Sequence, residues 1–231
     1  MKPWYQEKGI WIAFAIISLW FLSLGWLLSS YTVDFTNPIT YGFMLLQAHL
    51  YTGLFITAHD AMHGSVAKNK GWNNTLGTIA STLFAYNSYK KLFPKHHQHH
   101  RFVATDQDPD YHNGGFIPWY IKFAREYVSI WQILLMAVTY EVLIRLFPKP
   151  NVILFYIIPS ILSTLQLFYF GTYLPHRGEH DNKHQSRSQR KNHIWAFISC
   201  YFFGYHYEHH HAPGVPWWQL YKEKEMQEKS S

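Results

Sequence analysis

The sequence predicts an all-α membrane protein, four transmembrane helices carrying a cytoplasmic histidine-rich helical cap, and three observations lead there. Four apolar blocks, residues 10–30, 39–58, 127–147 and 152–174, are each long enough to cross a bilayer, since about 20 residues at ~1.5 Å rise span the ~30 Å hydrocarbon layer. Lysine and arginine fall almost wholly on one side of these blocks. Nearly all of the sixteen histidines crowd into segments on that same side. Mean hydropathy is slightly negative, but an average conceals a chain whose apolar and polar residues are segregated. The 231 residues read as a single domain, 1–231.

The first block is too long for a cleavable signal and lacks a small-residue cleavage site, so it reads as a retained anchor. The loop after it, residues 31–38, has no basic residue. The second block carries His49. Residues 72–93 are more polar and read as an interfacial or re-entrant piece, as do the shorter residues 194–204. The third block holds Glu141 and Arg145, which must face the bundle interior or an interface rather than lipid; Arg145 can snorkel from its helix end. The turn between the third and fourth blocks has only Lys149. With both termini cytoplasmic, every basic residue except Lys149 and Arg145 lies inside, the positive-inside arrangement of a multi-pass protein of the cell inner membrane. The net charge of +6 therefore reads as topology and attraction to anionic headgroups. No nucleic-acid motif is present.

This topology gathers the histidines. His59 and His63 stand at i and i+4, neighbours on one helix face. His96, His99 and His100 form an H-x-x-H-H pattern, and His206, His209 and His210 repeat it. His97 and His211 offer a shifted register; His96 is preferred because it reproduces the second triplet's spacing. His112, His180, His184 and His193 read as surface residues. Imidazole suits zinc, copper, iron and nickel, but so many histidines are too many for one ion and natural for two with open positions. Iron fits best, because open iron sites bind dioxygen. Cys200 is the single cysteine, which excludes a protein-held iron–sulfur cluster and an intrachain disulfide. No flavin or nicotinamide fingerprint is present, so electrons must come from a separate donor.

The ordered motifs HDAMH, HHQHHRF, DPD, YLPHR and HYEHHHAPGVPWWQL, over residues 40–221, resemble the membrane fatty acid desaturase and hydroxylase superfamily. Residues 172–177 and 213–220 resemble most the bacterial β-carotene ketolases within it. The resemblance implies a di-iron centre of two Fe2+ ions and dioxygen-dependent conversion of the C4 methylene of a β-ionone ring of β-carotene to a ketone. The products would be of the echinenone or canthaxanthin type. Position by position it carries over nine ligands: His59, His63, His96, His99, His100, His176, His206, His209 and His210, of which His176 rests on the resemblance alone. Its partners would be a carotenoid from the membrane, O2 and a donor such as an acidic ferredoxin, steered by the basic face.

Asp60 and Glu208 flank proposed ligands, where a carboxylate accepting the second imidazole N–H would fix its tautomer. The alternative is a solvated loop residue, and Asp108-Pro109 is an ordinary turn signal; the resemblance favours Asp108 and Asp110. His49, about 15 Å deeper than His59 along one helix, reads either as lining a substrate tunnel or as a core histidine satisfied by hydrogen bonding. Gly53 and Gly171 leave room for ring entry or serve close helix packing. The rival readings are a carotenoid hydroxylase or fatty-acyl desaturase with the same cage, a metal transporter, and a scaffold with structural zinc.

Overall fold

Helices account for every regular element among residues 6–230, which the computed structural model describes. Residues 1–5 and 231, and with them the placement of both chain ends, lie outside the described residues. In order these are α1 Gln6–Ser29, α2 Pro38–Met62, α3 Lys70–Leu83, α4 Tyr89–Arg101, α5 Phe116–Tyr127 and α6 Ile130–Leu146. They continue with α7 Lys149–His176, α8 His193–Cys200, α9 His206–His211 and α10 Leu220–Ser230. Three of them, α1, α2 and α7, are long and apolar enough to cross a membrane, and α5 with α6 forms a fourth candidate bent by 85°.

The local chemistry explains the boundaries. Asn37 caps α2 by accepting the Ile39 N–H at 3.0 Å, with Pro38 preset for the first turn. The second apolar block then runs on as helix to Met62, which keeps His59 and Asp60 helical. The third block differs from the expected residues 127–147. Ser129 accepts the Gln132 N–H while the Gln132 side chain accepts the Ser129 N–H, a capping box that starts a new helix at Ile130. Tyr127 therefore closes α5, and Val128 is extended between the two helices.

Residues 72–93 also divide. Ala85 and Tyr86, both left-handed at φ 51 and 56, separate α3 from α4. The Ala85 N–H is shared between the Tyr51 hydroxyl at 2.9 Å and the Leu83 carbonyl at 3.1 Å.

The core lies between α1, α2 and α7, around Trp20, Leu27, Tyr51, Leu54, Phe155 and Leu167. In a membrane such packing rests on van der Waals contact and a few interhelical hydrogen bonds of about 0.6 kcal/mol each. Asn151 supplies two, donating to the carbonyls of Leu27 at 2.7 Å and Tyr31 at 2.6 Å. Ser23 donates to Gln47 at 2.9 Å. Two π-helical turns, Ile153–Ile157 and Tyr169–Tyr173, interrupt α7; such turns rotate the helix surface beyond them. By contrast α6 has no buried residue, and Glu141 and Arg145 lie on its exposed surface. Of the two positions expected for these residues, the bundle interior is therefore excluded and the interface is left.

Candidate metal centre

The helix repeat decides how the histidines divide. At about 100° per residue, positions i and i+4 differ by only about 40°, whereas i+3 and i+4 diverge by about 100°. His59 and His63, then His96 and His100, are i, i+4 pairs on α2 and α4, and they meet in one group completed by His209. His206 and His210 are the i, i+4 pair of α9 and meet His99 and His176 in a second group. Each triplet thus gives its pair to one group and its remaining histidine to the other. Within each group one nitrogen per ring lies within 4.8 Å of all the rest.

Eight of the nine approach one another through Nε2. His63 and His96 stand at 2.6 Å and His100 and His209 at 3.0 Å in the first group. His176 to His206 at 2.8 Å, His206 to His210 at 3.0 Å and His99 to His210 at 3.1 Å link the second. Several Nδ1 atoms are held from behind. His176 Nδ1 donates to the Gln185 carbonyl at 2.9 Å, an acceptor-only partner that leaves the lone pair on Nε2. His99 Nδ1 donates to Asp108 at 2.9 Å, with Asp110 Oδ2 3.8 Å away. Asp108 is itself fixed by the Ala104 N–H at 2.9 Å and the Asp110 N–H at 2.8 Å. Asp60 lies 3.3 Å from His59 Nδ1 and accepts the Trp217 N–H at 3.0 Å.

Glu208 does not join this set. It accepts from Ser188 at 2.6 Å and pairs with Lys224 at 3.2 Å. The expected imidazole contact is absent, because the α9 turn that aims His206 and His210 inward points Glu208 at α10. His206 Nδ1 is buried without a partner.

Electrostatics keep most of the cage neutral. Burial, reinforced by neighbouring imidazoles, lowers His63 to about 3 and His100 to about 2 and holds His96, His206, His209 and His210 well below the ordinary value. His99 is the exception. Burial lowers it too, but the carboxylates of Asp110 and Asp108 outweigh that and raise it. Neutral imidazoles converging through Nε2, without protons enough to bridge every contact, form a donor set complementary to divalent cations. His97 and His211 are exposed and outside both groups; His97 Nδ1 turns back to the Phe93 carbonyl at 3.0 Å.

An apolar cavity of about 850 Å³ reaches this cage. Its walls come from α2, α4, α5, α6 and α7, including Phe55, Phe123, Met136, Ile157, Leu167 and Gly171, and they include His59, His96, His99, His100, His206, His209 and His210. Asp110 and Tyr127 also face it, and the Tyr127 hydroxyl donates to Asp110.

Two of the residues read as tunnel-lining are elsewhere. His49 stacks on Tyr201 at 4.2 Å between ring centroids, its buried Nε2 has no hydrogen-bond partner, and it is not among the residues lining the cavity. A side chain at Gly53 would stand 2.6 Å from the Tyr201 hydroxyl, so this glycine permits close packing and the cavity bypasses it. Sequence reasoning missed Gln185, whose carbonyl gave no side-chain signal. It also missed Phe203, an aromatic three positions before His206 that lines the cavity.

The profile of the fatty acid desaturase family matches residues 36–147 and 115–229. A β-carotene ketolase of Paracoccus sp. (strain N81106 / MBIC 01143) is 39% identical over 217 residues, 91% of this chain and 86% of that protein. A β-carotene ketolase of Haematococcus lacustris is 39% identical over 192 residues, 77% of this chain and 59% of that protein. The zeaxanthin 4-ketolase of Chlamydomonas reinhardtii is 37% identical over 225 residues, 93% of this chain and 50% of that protein. The chain therefore spans 50% to 59% of these algal relatives and most of the bacterial one. No solved structure gives a significant match. With the profile matching most of its length, the chain belongs to the fatty acid desaturase family.

Proposed function

We propose that this protein is a membrane di-iron oxygenase that converts the C4 methylene of β-ionone rings of β-carotene to a ketone. The observation that carries the reading is an apolar cavity lined by histidines of two all-histidine groups of five and four residues. The similarity to ketolases chooses the substrate class. The nine histidines are the metal ligands in this reading, with Asp108 and Asp60 orienting His99 and His59. Four crossings, with α5 and α6 as the third, leave the histidine cap and both termini on the cytoplasmic face of the inner membrane.

The donor chemistry favours iron over zinc. Five imidazoles exceed the closed tetrahedral site of structural zinc, while five and four leave open positions on two six-coordinate ions. Bound there, the two Fe2+ ions supply dioxygen reduction and C–H oxidation. Each hydroxylation consumes one O2, two electrons and two protons and releases one water; the electrons come from a separate carrier such as a ferredoxin. A second hydroxylation at the same carbon gives a geminal diol, which loses water to the ketone.

The protein's own tasks are positional. The apolar walls take the ring from the bilayer and exclude water, and the carboxylate and carbonyl partners of Nδ1 hold the imidazoles in register. Expression in cells that accumulate β-carotene, with chromatography of the pigments, tests this. Echinenone and canthaxanthin are expected; hydroxylated carotenoids alone would favour the hydroxylase reading, and unchanged pigment with iron-loaded protein would remove the carotenoid assignment.

A further inference from the structure

The segment from α8 to α9 holds an aromatic side chain against the histidine cage by means that its own backbone alone would not sustain. α8 packs against α2 and α7 and then reverses within two residues, Tyr201 and Phe202, both left-handed at φ 47 and 63. Neither is glycine, so surrounding contacts must hold the reversal. Gln166 of α7 provides one. Its Nε2 donates to the Ser199 carbonyl at 2.6 Å and the Ile198 carbonyl at 3.3 Å, and its Oε1 accepts from Thr52 of α2 at 2.5 Å. The carbonyls that end α8 are thereby satisfied in an apolar setting where water is scarce.

The reversal delivers Phe203. Its ring stands edge-on to His59 at 4.5 Å and parallel to His209 at 5.9 Å, both of the five-histidine group, and it forms part of the cavity wall with only 6% exposure. A Cβ at position 171 would stand 3.1 Å from Phe203 Cδ2, so the space freed by Gly171 is taken up by this ring.

We propose that Phe203 is the depth stop of the cavity, the residue that determines which ring carbon is presented to the histidine groups. The inference rests on the ketolase reading above. A β-ionone ring joins its polyene at one carbon, so when it enters ring first the carbon opposite, C3, leads and C4 lies one bond to the side. The flat ring of Phe203, part of the cavity wall beside the cage, halts C3 and leaves C4 alongside the histidines. A shorter side chain lets the ring advance and brings C3 into reach. Gln166, which touches neither cavity nor cage, acts on this selection by positioning the turn that carries Phe203.

The test is the product pattern of Phe203→Leu in β-carotene-accumulating cells. The ratio of 3-hydroxylated to 4-oxo rings should rise about tenfold or more, the discrimination a small volume change makes in an apolar pocket. Iron per chain, and binding of β-carotene to the metal-free protein followed by the carotenoid absorption band, should match the wild type. Gln166→Leu should shift the ratio in the same direction by a smaller factor. Ketone from the wild type with an unchanged ratio in both variants overturns the proposal. So does loss of iron from Phe203→Leu, which would make the ring a support of the cage rather than a stop for the substrate. Absence of any oxygenated carotenoid from the wild type would instead count against the ketolase reading on which the stop depends.

Discussion

The two histidine groups are unequal in their support. In the four-histidine group every imidazole is buried, His99 is fixed by Asp108, and His176 is fixed by the Gln185 carbonyl. In the five-histidine group only His59 and His209 are buried. His63, His96 and His100 are partly exposed, and the contact from Asp60 to His59 is longer, at 3.3 Å. A ligand whose second nitrogen is anchored keeps its ring orientation and basicity, and losing that anchor commonly lowers metal affinity about 10- to 100-fold. In the di-iron reading the four-histidine group would therefore be the preorganised half of the cage, and the five-histidine group would hold its metal by number of ligands.

The largest effect should come from removing a ligand that crosses between boxes. His99→Ala and His209→Ala should each lower ketone formation by at least about 100-fold, while the protein still inserts in membranes. Chromatography of pigments beside a membrane-fraction blot checks this, and retained turnover in either variant removes that residue from the cage. Metal titration of the two should also differ: His99→Ala depletes the four-histidine group, and His209→Ala the five-histidine group.

Anchor removal sharpens the comparison. Asp108→Asn should weaken one metal equivalent about 10- to 100-fold, whereas Asp60→Asn should weaken the other by a smaller factor. Competition with a calibrated chelator measures both, and equal effects would erase the distinction between the groups.

Gly53→Leu should act away from the cage. With the Tyr201 hydroxyl 2.6 Å from the new Cβ, overpacking of about 1–3 kcal/mol should lower the Tm and the yield of inserted protein. Full stability would place Gly53 differently from the close contact described. The smallest effect is reserved for His97→Ala and His211→Ala, exposed and outside both groups. Ketone yield should stay within about twofold of wild type, as for most exposed substitutions; a loss comparable to that of His99→Ala would reopen the register of the boxes.

The apolar blocks and the histidine spacing were legible because both follow from fixed helical repeats. The choice of His96 over His97 came from spacing alone, and the structure brings His96, not His97, into a group. The division into groups was legible in principle, since i, i+4 pairs share a face while the histidine between them turns aside. His176 was not, being a lone histidine placed by the π-helical turn Tyr169–Tyr173 just before it. The bend at Ser129 was written in a capping box, yet continuous apolar composition across it masked the signal. Neighbourhood in sequence or along a helix axis does not say which way a side chain turns, and Glu208 and His49 illustrate it. Glu208 turns to Lys224, and His49 to Tyr201.

The most direct measurement is metal analysis of the purified protein combined with X-ray absorption at the iron edge. The expected result is two irons per chain with imidazole-nitrogen shells, five histidines on one and four on the other, consistent with ligand groups that contain no carboxylate or thiolate. One zinc per chain with no iron, or a single iron with the second group protonated, would contradict the di-iron centre.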